Sequence, residues 1–163
     1  MLTPDASRSL TRLFSELVNG VTKGGFVLNA GDVGLLRSLE ILSAEDASRS
    51  VNGGATIAAH TQHVRFGLSL MNQWAAEGGD PFTNARWDEA WKISHVSDAG
   101  WSEIRHGLRL ETDRWLAILG TPREAAPLEF TGMISSIVHL AYHLGAIRQI
   151  DKSTRGPREG SFK

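Results

Sequence analysis

Apolar residues along this 163-residue chain recur three and four positions apart, in stretches broken by glycine and proline. Leu10, Leu13, Phe14, Leu17, Val18 and Val21 make the first such stripe. It opens at Thr3-Pro4-Asp5, where Thr can cap, Pro fits the first helical position and Asp suits the positive end of the helix dipole. Gly24-Gly25 is its expected stop. Asp32 to Leu42 reads as a short helix with Leu35, Leu36, Leu39 and Leu42 on one side, and Ser43-Ala44-Glu45-Asp46 as the start of a further turn. Asn52-Gly53-Gly54 is a break.

Thr56 is the expected cap of a long helix that runs to about Glu77 and ends at Gly78-Gly79-Asp80-Pro81. Residues 80–96, with Trp87 and Trp91, read as a loop or irregular segment. Ser97 caps a third long helix, with Val96 and Trp101 spaced as a hydrophobic staple, and Gly120 and Pro122 close it. A last helix spans about Glu129 to Ile150 and is apolar over most of its circumference, the pattern expected of a buried helix. The polar residues 153–163 read as a disordered tail after a single domain over 1–152. No alternating strand pattern and no internal repeat occurs. The expected fold is all-α, a four-helix bundle with short extra helices between the first and second long ones.

Composition narrows the chemistry. The net charge is −1, with no Lys/Arg run, which argues against nucleic acid as a partner. There is no cysteine, so disulfides, thiolate nucleophiles and Cys-type metal sites are excluded. The N-terminus shows no secretory pattern, and no apolar run reads as long enough to span a bilayer. A cytoplasmic protein with no membrane partner is the expectation.

The six histidines are placed unevenly. His139 and His143 are four apart, which puts both rings on one helical face in an otherwise apolar stretch. His60 and His63 are three apart on another apolar helix, whose face continues through Gly67, Leu70 and Trp74. Two helices presenting histidines inward is how metal sites are built in bundle cores. The same rings could equally be structural, bonded to backbone carbonyls or to Thr61, Ser135 and Ser136. His95, in a loop, and His106, beside Arg105, are expected to face solvent. No Glu-x-x-His or His-Glu-x-x-His motif occurs, so di-iron and zincin chemistry have no support.

Two segments resemble the DinB/YfiT-like family of metal-dependent enzymes. Thr56-Ile57-Ala58-Ala59-His60-Thr61-Gln62-His63-Val64 is similar to that family's second-helix motif, in which a capped helix carries a ligand histidine two turns in. His139-Leu140-Ala141-Tyr142-His143-Leu144-Gly145-Ala146-Ile147-Arg148-Gln149-Ile150 is similar to its final-helix motif of two histidines followed by Gly-x-Ile. The resemblance spans nearly the whole chain, with a longer insertion around residues 22–54 than the family's plain pattern.

The resemblance implies a four-helix bundle with a three-histidine site for a divalent ion, nickel or zinc first. By motif position the ligands are His63, His139 and His143. His60 falls one turn earlier, where the family has an apolar residue, and is a candidate general base, substrate contact or alternative ligand. The implied reactions are those of a thiol S-transferase or a hydrolase acting on a small-molecule substrate. With no cysteine here, a low-molecular-weight thiol would enter as cosubstrate. Family bundles pair through a helix face, so a homodimer is expected. Tyr142 points about 100° away from its neighbour His143 on the helix and is left out of the site. Trp74, Trp87 and Trp91 are candidates for lining a pocket or for plain core packing. The other reading is a non-catalytic binding module with structural histidines.

Overall fold

A computed structural model describes residues 2–158. Its regular elements are helical: α1 Pro4–Asn19, α2 Gly34–Glu40, α3 Ala44–Ala47, α4 Ile57–Glu77, α5 Trp87–Trp91, α6 Asp98–Leu119, α7 Pro127–Ile150 and a 3-10 helix Lys152–Thr154. No strand is present among the described residues; Leu2 and Arg123 form one isolated antiparallel bridge. The all-α expectation therefore holds. The chain divides into two compact units, Met1–Ile41 with Leu119–Lys163, and Leu42–Ile118.

In the first unit, α1 packs on α2 and α7. Thr3 caps α1 by accepting from the Ala6 N–H at 3.2 Å. The helix stops at Gly20, earlier than the expected Gly24-Gly25. Gly20 has φ +79°, and its N–H closes on the Glu16 carbonyl. The chain then turns back, with the Val21 N–H on Asp32 O and the Gly31 N–H on Val21 O. A Cβ on Gly20 would lie 2.1 Å from Asp32 O, and one on Gly34 (φ +71°) 2.3 Å from the Gly20 nitrogen. Backbone crosses backbone there, so only glycine fits at either position. Phe14, Leu17, Leu35, Met133 and Ile147 are fully buried in this unit.

The returning loop is held by one carboxylate. Glu16, only 4% exposed, accepts from the N–H groups of Phe26, Val27 and Leu28 at 2.9, 2.6 and 2.6 Å. Burial raises the Glu16 pKa, but those three backbone bonds and the charge of Arg12 outweigh it and hold the carboxyl below its usual range.

Of the residues expected as a disordered tail, Ser153 and Thr154 belong to the 3-10 helix Lys152–Thr154. Thr154 is buried, the Ser38 hydroxyl donates to its carbonyl at 3.4 Å, and Arg155 Nε donates to Arg148 O at 3.0 Å. Individual hydrogen bonds of this kind, one of them between residues 116 positions apart, are invisible to composition. Residues 159–163 of that expected tail lie outside the described residues.

Helix α7 departs from expectation in two ways. Leu128, Val138 and Tyr142 are 72%, 62% and 69% exposed, so an apolar sequence all round did not mean burial all round. By length and composition α7 is also apolar enough to cross a membrane, which corrects the reading that no run is; the core helix of a soluble protein passes the same test.

In the second unit, Ser43 caps α3 in a reciprocal box with Asp46. Thr56 caps α4 by accepting from the Ala59 N–H at 3.1 Å, and its own hydroxyl donates to Ile93 O at 3.0 Å. Helix α4 ends at Gly78, as expected. Segment 80–96, expected to be irregular, contains α5, whose first turn carries Asp88 and Glu89. Five residues are too few to show a period, so acidic residues at the dipole's positive end were the available signal. Ser97 accepts from the Gly100 N–H at 3.2 Å at the start of α6, and Val96 and Trp101 are both buried. Trp101 donates its indole N–H to Leu42 O at 2.9 Å, and Asn72 ties α4 to α6 through the Glu111 carboxylate at 2.7 Å.

Candidate functional site

The histidine pair of α7 sits in the first unit. Helical spacing stacks the two rings one turn apart, and the structure turns them toward each other. His139 Nε2 and His143 Nε2 are 3.0 Å apart, with ring planes at 81°. His143 is buried and His139 half-buried. Burial lowers the His139 pKa, because a low-dielectric setting disfavours the imidazolium. At neutral pH this ring is therefore a neutral donor of a lone pair, the form that ligates metal. Tyr142 is mostly solvent-exposed, as its helical direction implies, yet the edge of its ring meets His143 at 5.1 Å between centroids.

The pair on α4 sits in the second unit, against α5. His63 is buried and stacks on Trp91 at 4.4 Å between centroids, 29° from parallel. Trp87 lies 5.5 Å from the same ring and 5.4 Å from Phe66. His60 meets Trp91 edge-on at 5.3 Å. Burial lowers the His60 pKa as well. The local reason is legible: α4 places residues 60 and 63 on neighbouring positions of one face, and Trp87 and Trp91, one helical turn apart, cover that face together.

Trp87 and Trp91 thus meet the histidines. Trp74 packs edge-on against Phe82 at 5.5 Å. His95 and His106 are exposed, as expected. What the residue pattern missed is the short helix α5 that presents the two tryptophans.

Two imidazole nitrogens converging on one helix, one ring buried and the other half-buried, and two further buried rings braced by indoles, are donors suited to a borderline divalent ion rather than to a hard one. Comparison of the chain with protein-family models, with curated proteins and with solved structures found no match.

Proposed function

We propose that this chain is a divalent-metal protein of the DinB/YfiT-like kind, a four-helix bundle in which His63, His139 and His143 hold one ion. Each of these three side chains could offer one ring nitrogen to an ion. The observation that carries the reading is the 3.0 Å approach of the two Nε2 atoms on α7. Nitrogens bound at about 2.0–2.1 Å to one ion stand about 2.9 Å apart at a right angle and about 3.3 Å apart at a tetrahedral one. The observed spacing falls within that range without rearrangement of the helix. Three imidazoles and no thiolate suit zinc or nickel.

When bound, such an ion supplies acidity to a water or a thiol in its open positions. The protein's own residues would do the rest. The His60 ring, kept neutral by burial, is placed to accept a proton. Trp91 and Trp87 hold the His63 plane and shed water from it. The chain has no cysteine, so a thiol nucleophile must arrive as a cosubstrate. The reaction class that follows is thiol S-transfer, or hydrolysis where water takes the thiol's place, in the cytoplasm. The exposed row Ile134, Val138 and Tyr142 on α7 supports pairing of two copies through that face.

Elemental analysis of tag-free protein tests the reading. Wild type is expected to carry a stoichiometric divalent ion that His63→Ala, His139→Ala and His143→Ala each lose. Equally low metal in all four proteins would sink it. A screen of thiols with electrophiles on the loaded protein then separates an enzyme from a binder.

A second reading has one observation in its favour. The His139–His143 contact can itself be a hydrogen bond in which each ring satisfies the other. On that reading the histidines are structural and the bundle is a binding module.

A further inference from the structure

We infer that the pocket where α1 ends, separate from the histidines, binds a small multiply charged anion of the phosphate or carboxylate type. The pocket is open, measures about 920 Å³, and is lined by residues of the first unit that include Arg12, Lys23, Arg37, Glu16 and Asp32. That volume suits a small metabolite.

The sign of the ligand follows from which groups are already engaged. Both lining carboxylates are engaged by the protein itself. Glu16 takes the three N–H groups of Phe26, Val27 and Leu28. Asp32 takes the Gly34 N–H at 2.9 Å and the Arg148 guanidinium at 2.7 Å. Each residue is only 4% exposed, so neither presents its charge to a ligand in the pocket. The three basic side chains are held loosely or in ways that keep their donors available. Arg12 Cζ lies over the Phe26 ring at 4.5 Å from its centroid, a contact that positions the guanidinium without using its N–H groups. Lys23 is exposed on the loop. Arg37 bonds Glu40 at 2.7 Å, but both are solvent-exposed, and such a pair yields easily to a stronger acceptor. The negative end of the α1 dipole opposes an anion here. That effect is confined to the last turn and screened in an open pocket, so three cations outweigh it. Guanidinium groups bond phosphate and carboxylate bidentately, which makes those two the ligand chemistries to test.

Amide-resolved NMR titration with inorganic phosphate and with citrate, against chloride at matched ionic strength, distinguishes the two. Saturable shifts are expected for one or both anions at the amides of residues 21–25 and 32–33. Lys23→Gln with Arg37→Gln should weaken binding by about tenfold or more, the loss expected for charge-assisted hydrogen bonds. Arg114→Gln, an exposed cation on α6, should change nothing. Single Lys23→Gln, at an exposed loop position, serves if the double variant does not fold. Shifts that never saturate, that spread over every basic surface, that centre on the histidines, or that persist unchanged in the lysine and arginine variants would overturn the inference.

Discussion

Arg148 donates to Asp32 across 2.7 Å, a pair 116 positions apart in sequence, with Arg148 15% and Asp32 3% exposed. Asp32 also receives the Gly34 N–H, so this ion pair pins α7, the start of α2 and the loop after α1 together. Gly156 comes so close that a Cβ on it would lie 2.0 Å from Asp32 Oδ2. Removing one partner leaves the other charge buried and uncompensated. Arg148→Met and Asp32→Asn are each expected to cost about 3 kcal/mol in urea unfolding. The double variant should cost clearly less than the sum of the two. Additive losses would mean the two groups act independently.

Glu16 should make the first unit sensitive to acid. Its folded pKa lies below the ordinary 4.5, so its contribution is fully present above the unfolded value and is lost as pH falls through the lower folded one. Glu16→Gln keeps the shape but loses charge and one acceptor oxygen. We expect it to cost about 1–3 kcal/mol at pH 7. The variant should also show a shallower loss of stability between about pH 5 and pH 3 than wild type. Parallel acid profiles for the two proteins would contradict the role assigned to the carboxylate.

Gly20→Ala and Gly34→Ala should each destabilise by about 2 kcal/mol or more. Both positions have positive φ, and both would drive a Cβ into backbone rather than into a side chain that can move aside. Gly24→Ala is the internal control, since nothing lies within 4 Å of its Cβ position. Thermal unfolding of the three variants ranks them directly.

His60 and His139 both have pKa values lowered by burial. Their folded values lie below those of the unfolded chain, so the stabilising effect is present above about pH 6.5 and is lost as pH falls through the folded values. Metal-free protein should therefore lose stability between neutral pH and about pH 5, and His60→Gln should flatten that slope. An unchanged slope in the variant would assign the pH dependence elsewhere.

Metal should raise the melting temperature only when its ligands are intact. Zinc or nickel at a hundredfold excess over Kd stabilises by about 2.7 kcal/mol when it binds the folded state alone. Wild type is expected to show that shift and to lose it with chelator. His139→Ala and His143→Ala should show none. Trp91→Leu should bind more weakly, because the indole that stacks on His63 is gone.

The signals legible in the chain were short in range. Thr56 as cap and Gly78 as stop of α4, Ser97 at the head of α6, and the shared face of His139 and His143 all rest on neighbours within a few positions. Such relationships follow from 3.6 residues per turn and from the unsatisfied amides of a helix end. The stop of α1 was misplaced because Gly20 and Gly24-Gly25 both look like breaks locally. What selects Gly20 is the approach of Asp32, twelve residues on.

Near-neighbour pattern along the chain was enough to show that it is helical, where most helices begin and end, and which residue types could meet a metal. The engagement of Glu16 and Asp32, the stacking of Trp91 rather than Trp74 on His63, and the exposure of one side of the apolar α7 emerged only in three dimensions. The reason is physical. Helix formation is settled by bonds between near neighbours, whereas burial and charge pairing are settled by whichever distant segment fills the same space.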